Sequence, residues 1–304
     1  MRRNLVTAAI TLALCGAASL ASAQTPAEIS RAANPPAVRA TTQLPHGVKP
    51  SHYAIEVTPH ADKMAFDGKV KISLDVLEPT PTIVLQAVNM SFANSVLTGA
   101  SGKKLVPKVS VDAENQTATF AFAAPLAAGS YVLATDYTGV INTQANGLFA
   151  IDYDTDAGKQ RALYTQFENS DARKFVPSWD EPNFKATFDL TVNAPAAQMA
   201  VSNMPVVESK DIGNGLKRVV FQTSPKMSTY LLFLGLGEFD RATDSVDGTE
   251  VGVVTPKGKV GQAAGALEAS KLVLKEYNDY FGVKYPLPKL DNIAAPGRSQ
   301  FFSA

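Results

Sequence analysis

The chain has 304 residues, with 28 Lys plus Arg against 28 Asp plus Glu, and a single cysteine, Cys15. Balanced charge without a basic stripe excludes a nucleic-acid footprint, and one cysteine excludes a disulfide framework. Stability must come from a buried core, and the length suffices for one large or two ordinary domains.

Arg2 and Arg3 precede an apolar run from Leu5 to Leu20, and Ala21-Ser22-Ala23 supplies the small-x-small pattern of a signal-peptidase site. Residues 1–23 are therefore predicted to be a signal peptide. Export to the periplasm or the medium follows, with a slightly acidic mature chain once both arginines are lost. The apolar run is shorter than the roughly 20 residues a bilayer-spanning helix needs, so no stable membrane insertion is expected. Leu14 is bulky where lipoprotein processing wants a small residue, which argues against a lipidated Cys15. Residues 24–43, rich in Ala, Pro and Thr without periodicity, read as a flexible leader.

From Leu44 the dominant signal has period two. In Phe66 to Val76, Phe66, Val70, Ile72, Leu74 and Val76 alternate with Asp67, Lys69, Lys71, Ser73 and Asp75, which predicts a strand with one face in a core. The same alternation marks Ala186 to Val192 and, more loosely, Tyr53 to Val57, Thr117 to Phe122, Tyr131 to Tyr137 and Val219 to Thr223. Asp112 to Asn115, Ala128-Gly129 and Asn214-Gly215 supply turns, the last of type I′. Many short strands joined by polar turns predict a mainly β fold, an antiparallel β-saddle or sandwich over residues 44–238. Ser228 to Gly237 is a continuous apolar run, as expected for a strand covered on both faces.

A strand pair ending near Val254 follows, and then a helix over about Gly261 to Phe281. Its predicted apolar face carries Ala263, Ala266, Leu267, Ser270, Val273, Leu274, Tyr277, Tyr280 and Phe281, opposite Glu268, Lys275, Asn278 and Asp279. Gly282 can end it, and Pro286 and Pro288 prevent its resumption. One such helix cannot bury its own stripe, so residues 239–304 are expected to be the truncated start of a second domain; a helix packed back on the β-domain is the alternative.

Three histidines, His46, His52 and His60, lack metal-ligand spacing and read as surface or strand-end residues. The sequence has no H-E-x-x-H, no Gly-rich phosphate loop and no G-x-S-x-G elbow. Polar residues concentrate instead between Tyr164 and Pro182. A strand over Ala162 to Glu168 would direct Gln166 and Glu168 to one face and Thr165 and Phe167 to the other. An amide beside a carboxylate suits a cationic group, although a solvated strand face is the simpler reading of that pair. Asp171, Arg173, Asp180 and Glu181 read most simply as an ion-pair network tying down a loop.

Thr165-Gln-Phe-Glu168, Asp171-Ala-Arg173 and Trp179-Asp-Glu-Pro182, followed by Lys185-Ala-Thr-Phe188, resemble the signature of the aminopeptidase N family of zinc (gluzincin) metallopeptidases. Gly147-Leu-Phe resembles that family's glycine-aromatic segment, and Tyr285 to Asp291 its entry into the catalytic domain. Ser178 stands where many relatives have cysteine. Pro296 to Ala304 is similar to the run into the G-A-M-E-N loop, with Ser303 replacing its first glycine. The resemblance extends over nearly all of the chain from Leu44.

The resemblance implies a β-domain followed by the start of a thermolysin-like α+β catalytic domain. It implies that Glu168 anchors the α-ammonium of a peptide substrate, that Gln166 lines the pocket for the first side chain, and that Ser303 and Ala304 begin a loop contacting the peptide. A neutral Gln166 argues against a preference for acidic first residues. Zinc is implied for the full-length enzyme, held by an H-E-x-x-H motif that these 304 residues lack, so no bound zinc and no hydrolysis are expected of this chain. A non-catalytic β-sandwich binding module is the competing expectation, and a natural truncation kept as a peptide-binding decoy is a third.

Overall fold

The computed structural model describes residues 43–155 and 158–296. The predicted signal peptide, nearly all of the leader, and Ser303 and Ala304 lie outside the described residues. In chain order the strands are β1 (Val48–His60), β2 (Ala65–Val76), β3 (Thr80–Gln86), β4 (Ser91–Gly99), β5 (Lys104–Leu105), β6 (Lys108–Asp112), β7 (Thr117–Leu126), β8 (Gly129–Val140) and β9 (Gly147–Thr155). There follow β10 (Gly158–Gln166), β11 (Thr187–Pro195), β12 (Met199–Ser202), β13 (Val206–Gly213), β14 (Leu216–Phe221), β15 (Leu234–Gly237), β16 (Phe239–Val246) and β17 (Thr249–Pro256). Helix α1 (Ala264–Phe281) and β18 (Lys289–Ile293) complete the order.

The largest sheet has eight strands in the order β13-β14-β11-β1-β2-β8-β4-β5. Its pairings are antiparallel except β1 with β11, which run parallel because a long excursion separates them. The period-two pattern of β2 is realised in full: Phe66, Val70, Ile72, Leu74 and Val76 are buried, while Asp67, Lys69, Lys71 and Asp75 are exposed. The smaller sheets are β3-β7-β6, β12-β15-β10-β9 and β16-β17-β18. A single apolar cluster runs from the inner face of the large sheet through Ile83, Leu85 and Phe120 to Leu163, Phe167, Trp179 and Leu236. The mainly β architecture expected from the sequence is therefore the one present.

Two glycines are required by close approach. Gly68 lies opposite Tyr137, and Gly139 opposite Phe66, in the β2–β8 register. Each aromatic ring covers the glycine across from it, and a Cβ on either glycine would penetrate that ring. The two rings meet edge to face with centroids 6.2 Å apart. Asn214 and Gly215 both have positive φ, as a type I′ turn between β13 and β14 requires.

Two expectations need correction. Ser228 to Gly237 is a strand only from Leu234, where all four residues are buried; Thr229–Leu231 form a 3-10 turn. Helix α1 ends at Gly282 with φ 65°, as anticipated, but its inward face differs. Leu274 and Asn278 are buried, while Val273, Tyr277, Tyr280 and Phe281 are exposed. Polar anchors set this rotation. Lys271 pairs with Asp244 at 2.6 Å, Asn278 donates to Asp247 and accepts from the Tyr285 N–H, and Asn292 donates to Ser270. The helix thus packs on β16 and β17 rather than on the large β-domain sheet. No helix of the described residues is long and apolar enough to cross a membrane.

Gly68→Ala is expected to destabilise the fold by about 1–3 kcal/mol through overpacking against Tyr137. A urea unfolding midpoint lower than that of the parent chain checks this, and an exposed-site control such as Gly261→Ala should leave the midpoint nearly unchanged.

Candidate substrate-binding site

Strand β10 is held on both sides. It pairs with β9 from Gly158↔Thr155 to Gln166↔Gly147, and with β15 at Leu163↔Leu236 and Tyr164↔Gly235. At its outer end Arg161 reaches across to Asp152 at 2.6 Å, and that guanidinium hydrogen bond holds the Asp152 carboxyl below the usual carboxylate range. At its inner end the Thr165 hydroxyl accepts the Leu234 N–H at 2.8 Å. The strand stops at Gln166, so Glu168 lies in a turn and not in the strand expected over Ala162 to Glu168.

The alternation of burial nevertheless continues past the strand. Thr165 and Phe167 are buried, Gln166 is half-buried and Glu168 is exposed. Phe167 fastens the turn from inside, with its ring 5.4 Å from that of Phe175. Its carbonyl accepts the Asp171 N–H at 2.8 Å, and the Glu168–Asn169 peptide is cis. Beside Gln166, Gly147 adopts φ +63°, and a Cβ there would stand 2.7 Å from Lys174 Cβ. Lys174 donates to Asn146 at 3.0 Å and pairs with Asp171 at 2.9 Å. Among the described residues, no hydrogen bond or ion pair engages the Gln166 amide group or the Glu168 carboxylate. Sequence reasoning placed these two groups together on one strand; here Gln166 ends β10 half-buried and Glu168 is exposed in the turn that follows.

The segment from Asp171 to Pro182 forms the foundation of that turn. Asp180, with 1% of its side chain exposed, pairs with Arg173 at 3.0 Å. The same carboxylate accepts the Arg173 N–H and the Thr229 hydroxyl, the latter at 2.6 Å. Arg173 also donates to the Asp180 carbonyl and to Gln116. Gln86 interlocks with the segment: its backbone exchanges two hydrogen bonds with Ser178, its side-chain oxygen accepts the Asp180 N–H at 2.6 Å, and its amide donates to Glu181. Glu181 accepts the Leu44 N–H at 2.7 Å, which fixes the start of the β-domain. The Trp179 backbone N–H donates to the buried Tyr53 phenol oxygen, and burial pushes the pKa of that phenol upward. Of the four residues expected to form an ion-pair network, only Arg173 and Asp180 pair with each other; Asp171 pairs with Lys174, Glu181 accepts neutral N–H groups, and the parts played by Gln86, Tyr53, Gln116 and Thr229 were not foreseen. Each belongs to another part of the chain and carries no local signal.

Ser178 is fully buried, and its hydroxyl has no hydrogen-bond partner among the described residues. His46 packs edge-on against Phe184, His52 contacts Thr187 and Asp189, and His60 contacts Asp67. Of the three only His60 ends a strand; His52 lies within β1 and His46 in the turn before it. Among the described residues no three His, Cys, Asp or Glu side chains come together in a group that could hold a metal ion. The donor set for zinc is therefore not supplied by these residues, and no chemical step is derived through a metal. The arrangement can offer a carboxylate and a neutral amide to a cationic, hydrogen-bonding ligand.

Residues 49–231 match the family model described as the Peptidase M1 N-terminal domain. The chain is 42% identical over 263 residues to "Aminopeptidase N" of Acetobacter pasteurianus, an alignment covering 86% of this chain and 73% of that protein. It is 39% identical to "Aminopeptidase M1" of Arabidopsis thaliana, covering 84% of this chain but 29% of the plant protein. With "Endoplasmic reticulum aminopeptidase 1" of Mus musculus the identity is 33%, over 84% of this chain and 28% of that protein. The chain thus spans under a third of the length of the plant and mouse relatives.

Asp180→Asn is expected to cost about 3–5 kcal/mol, because it leaves the largely buried Arg173 without its counter-charge. Ser178→Ala should instead raise stability by about 1 kcal/mol, since it deletes an unsatisfied buried hydroxyl. Denaturant titrations of both variants check the opposite signs.

Proposed function

The chain belongs to the peptidase M1 family through its N-terminal domain, and from that membership we propose that it carries the amine-recognising portion of an exported aminopeptidase. Its named relatives are aminopeptidases. In this reading residues 44–238 are the N-terminal β-domain and residues 239–304 begin the peptidase domain. The H-E-x-x-H motif that would hold zinc is not among these 304 residues. The observation that carries the reading is that Gln166 at the end of β10 and Glu168 in the turn after it are engaged by no hydrogen bond or ion pair among the described residues.

The chemistry is that of measuring from a terminus. An exopeptidase must register the scissile bond at a fixed distance from the free amine, and a fixed carboxylate does so by pairing with the α-ammonium. Glu168 supplies that charge. Gln166, neutral and half-buried, offers both a donor and acceptor to the first residue without favouring an acidic side chain. Ser303 and Ala304 are proposed to begin a loop whose backbone contacts the peptide. The chain by itself is proposed to bind peptides and to hydrolyse none.

The test is a nuclear magnetic resonance titration of the 304-residue chain with an alanyl peptide amide and with its N-acetylated counterpart. The free-amine peptide is expected to bind about fivefold tighter, the worth of one exposed ion pair of about 1 kcal/mol, and to shift the Gln166 side-chain amide. Glu168→Gln should remove that preference while leaving the thermal midpoint unchanged. Equal binding of both peptides by the parent chain would overturn the amine-anchor reading and leave a binding module of another specificity. Peptide-bond turnover by a zinc-loaded preparation would overturn the claim that the chain is inactive alone.

A further inference from the structure

Gln166 is flanked by the turn that carries Glu168 and by the loop that leads into β9, and one side chain reaches both segments. Lys174 ends the 3-10 turn Ala172–Lys174, and its ammonium pairs with Asp171 at 2.9 Å and donates to the Asn146 side-chain oxygen at 3.0 Å. Asp171 closes the turn after Gln166 by donating its N–H to the Phe167 carbonyl. Asn146 belongs to the loop just before Gly147, the residue in register with Gln166. That loop is itself tightly folded: Asn142 donates its side-chain amide to the Asn146 carbonyl at 2.9 Å and its N–H to the Leu148 carbonyl at 2.8 Å.

The base from which Lys174 reaches is fixed independently. Its neighbour Arg173 is bound by Asp180, and the Arg173 carbonyl accepts the Val88 N–H at 2.9 Å. The stem of Lys174 then lies against Gly147, since a Cβ on that glycine would stand 2.7 Å from Lys174 Cβ and 3.4 Å from its Cδ. An i,i+3 ion pair at a surface contributes little by itself. This ammonium does more than close such a pair, because its second acceptor lies 28 residues away in the chain, and only 26% of the Lys174 side chain and 25% of that of Asp171 are exposed.

We propose that Lys174 is a positioning residue: its ammonium clips the Glu168 turn to the loop entering β9, and so fixes the spacing between the Gln166 amide and the Glu168 carboxylate. The role rests on the reading of those two groups as substrate contacts. A lysine suits it because three N–H donors on one centre can serve a carboxylate and an amide oxygen together. The sign of its effect separates positioning from simple electrostatics. A cation beside the site repels the α-ammonium of a peptide, so acting through space its removal strengthens free-amine binding. Acting as a clip, its removal weakens that binding, because the carboxylate and the amide no longer hold one spacing.

The test compares Lys174→Met with Lys174→Arg and with the exposed control Lys185→Met in the 304-residue chain. Three readouts are taken: hydrogen exchange of the Asp171 and Asn146 backbone amides, the shift of the Gln166 side-chain amide, and the ratio of free-amine to N-acetylated alanyl peptide affinity. Lys174→Met is expected to accelerate exchange at both amides at least severalfold, to move the Gln166 signal, and to reduce the affinity ratio by half or more. Lys174→Arg should recover part of each effect, and Lys185→Met should produce none. A parent ratio above one that persists or rises in folded Lys174→Met overturns the proposal and leaves the amine reading standing. A parent ratio of one overturns the amine reading, and the proposal with it. Unaltered exchange at Asp171 and Asn146 overturns the proposal whatever the peptides do. Should Lys174→Met fail to fold, Asn146→Ala, which cuts the clip at its far end and leaves the pair with Asp171 in place, decides by the same readouts.

Discussion

A carboxylate removed almost wholly from water is tolerated only where its charge and its lone pairs are matched, and Asp180 is that group in this fold. Arg173 supplies the charge, and the Arg173 N–H and the Thr229 hydroxyl take further acceptor positions. These partners come from either side of Asp180 in the chain, so the segment has little freedom to choose another path. Gln86 then locks the same segment to the end of β3 by four hydrogen bonds, two through its backbone and two through its side chain. Everything that presents Gln166 and Glu168 is built against this knot. Phe167 and Phe175 pack with tilted rings on its inner side, and the Phe167 carbonyl closes the turn by accepting from Asp171.

The knot also explains what was legible beforehand and what was not. Local period-two patterns found β2 and the Asn214-Gly215 turn because those features are dictated by residues adjacent in sequence. The concentration of polar residues between Tyr164 and Pro182 marked Asp171, Arg173, Asp180 and Glu181 as a group. It could not find Gln86 or Tyr53, whose importance comes from lying opposite that group in space, far away along the chain. The orientation of α1 failed for a related reason. Periodicity counts apolar residues, whereas Lys271 and Asn278 fix the helix through partners on β16, the following turn and the loop after the helix. Gly282 ended the helix as expected because a left-handed cap is a property of one residue. The end of β10 fell two residues short of Glu168 because a turn closed by the Phe167 carbonyl replaced the ladder.

Two buried ionic networks divide the mechanical work. The Asp180 network stabilises one wall by tying loop to strand within the β-domain. A second network, in which Lys289 at the start of β18 pairs with Asp291 and donates to the Ser202 carbonyl, joins different sheets, so it governs a distance rather than a local conformation. Both are costly to desolvate, and neither is the least expensive way to fill a core. Apolar replacements would serve stability as well or better. Their use is easier to understand if fixed geometry between distant segments matters more than stability alone.

An exposed carboxylate such as Glu168 gains little by pairing with an ammonium in water, on the order of 1 kcal/mol or less, because solvent screens the charge and the side chain must be ordered. A terminus-reading site built on it alone would bind weakly and position poorly. The same pair strengthens when a second wall excludes water and the carboxylate no longer has alternatives. Tight pairing of an ammonium with an exposed carboxylate therefore requires a second wall that excludes water, and a rigid strand end is useful only if that wall is equally well placed.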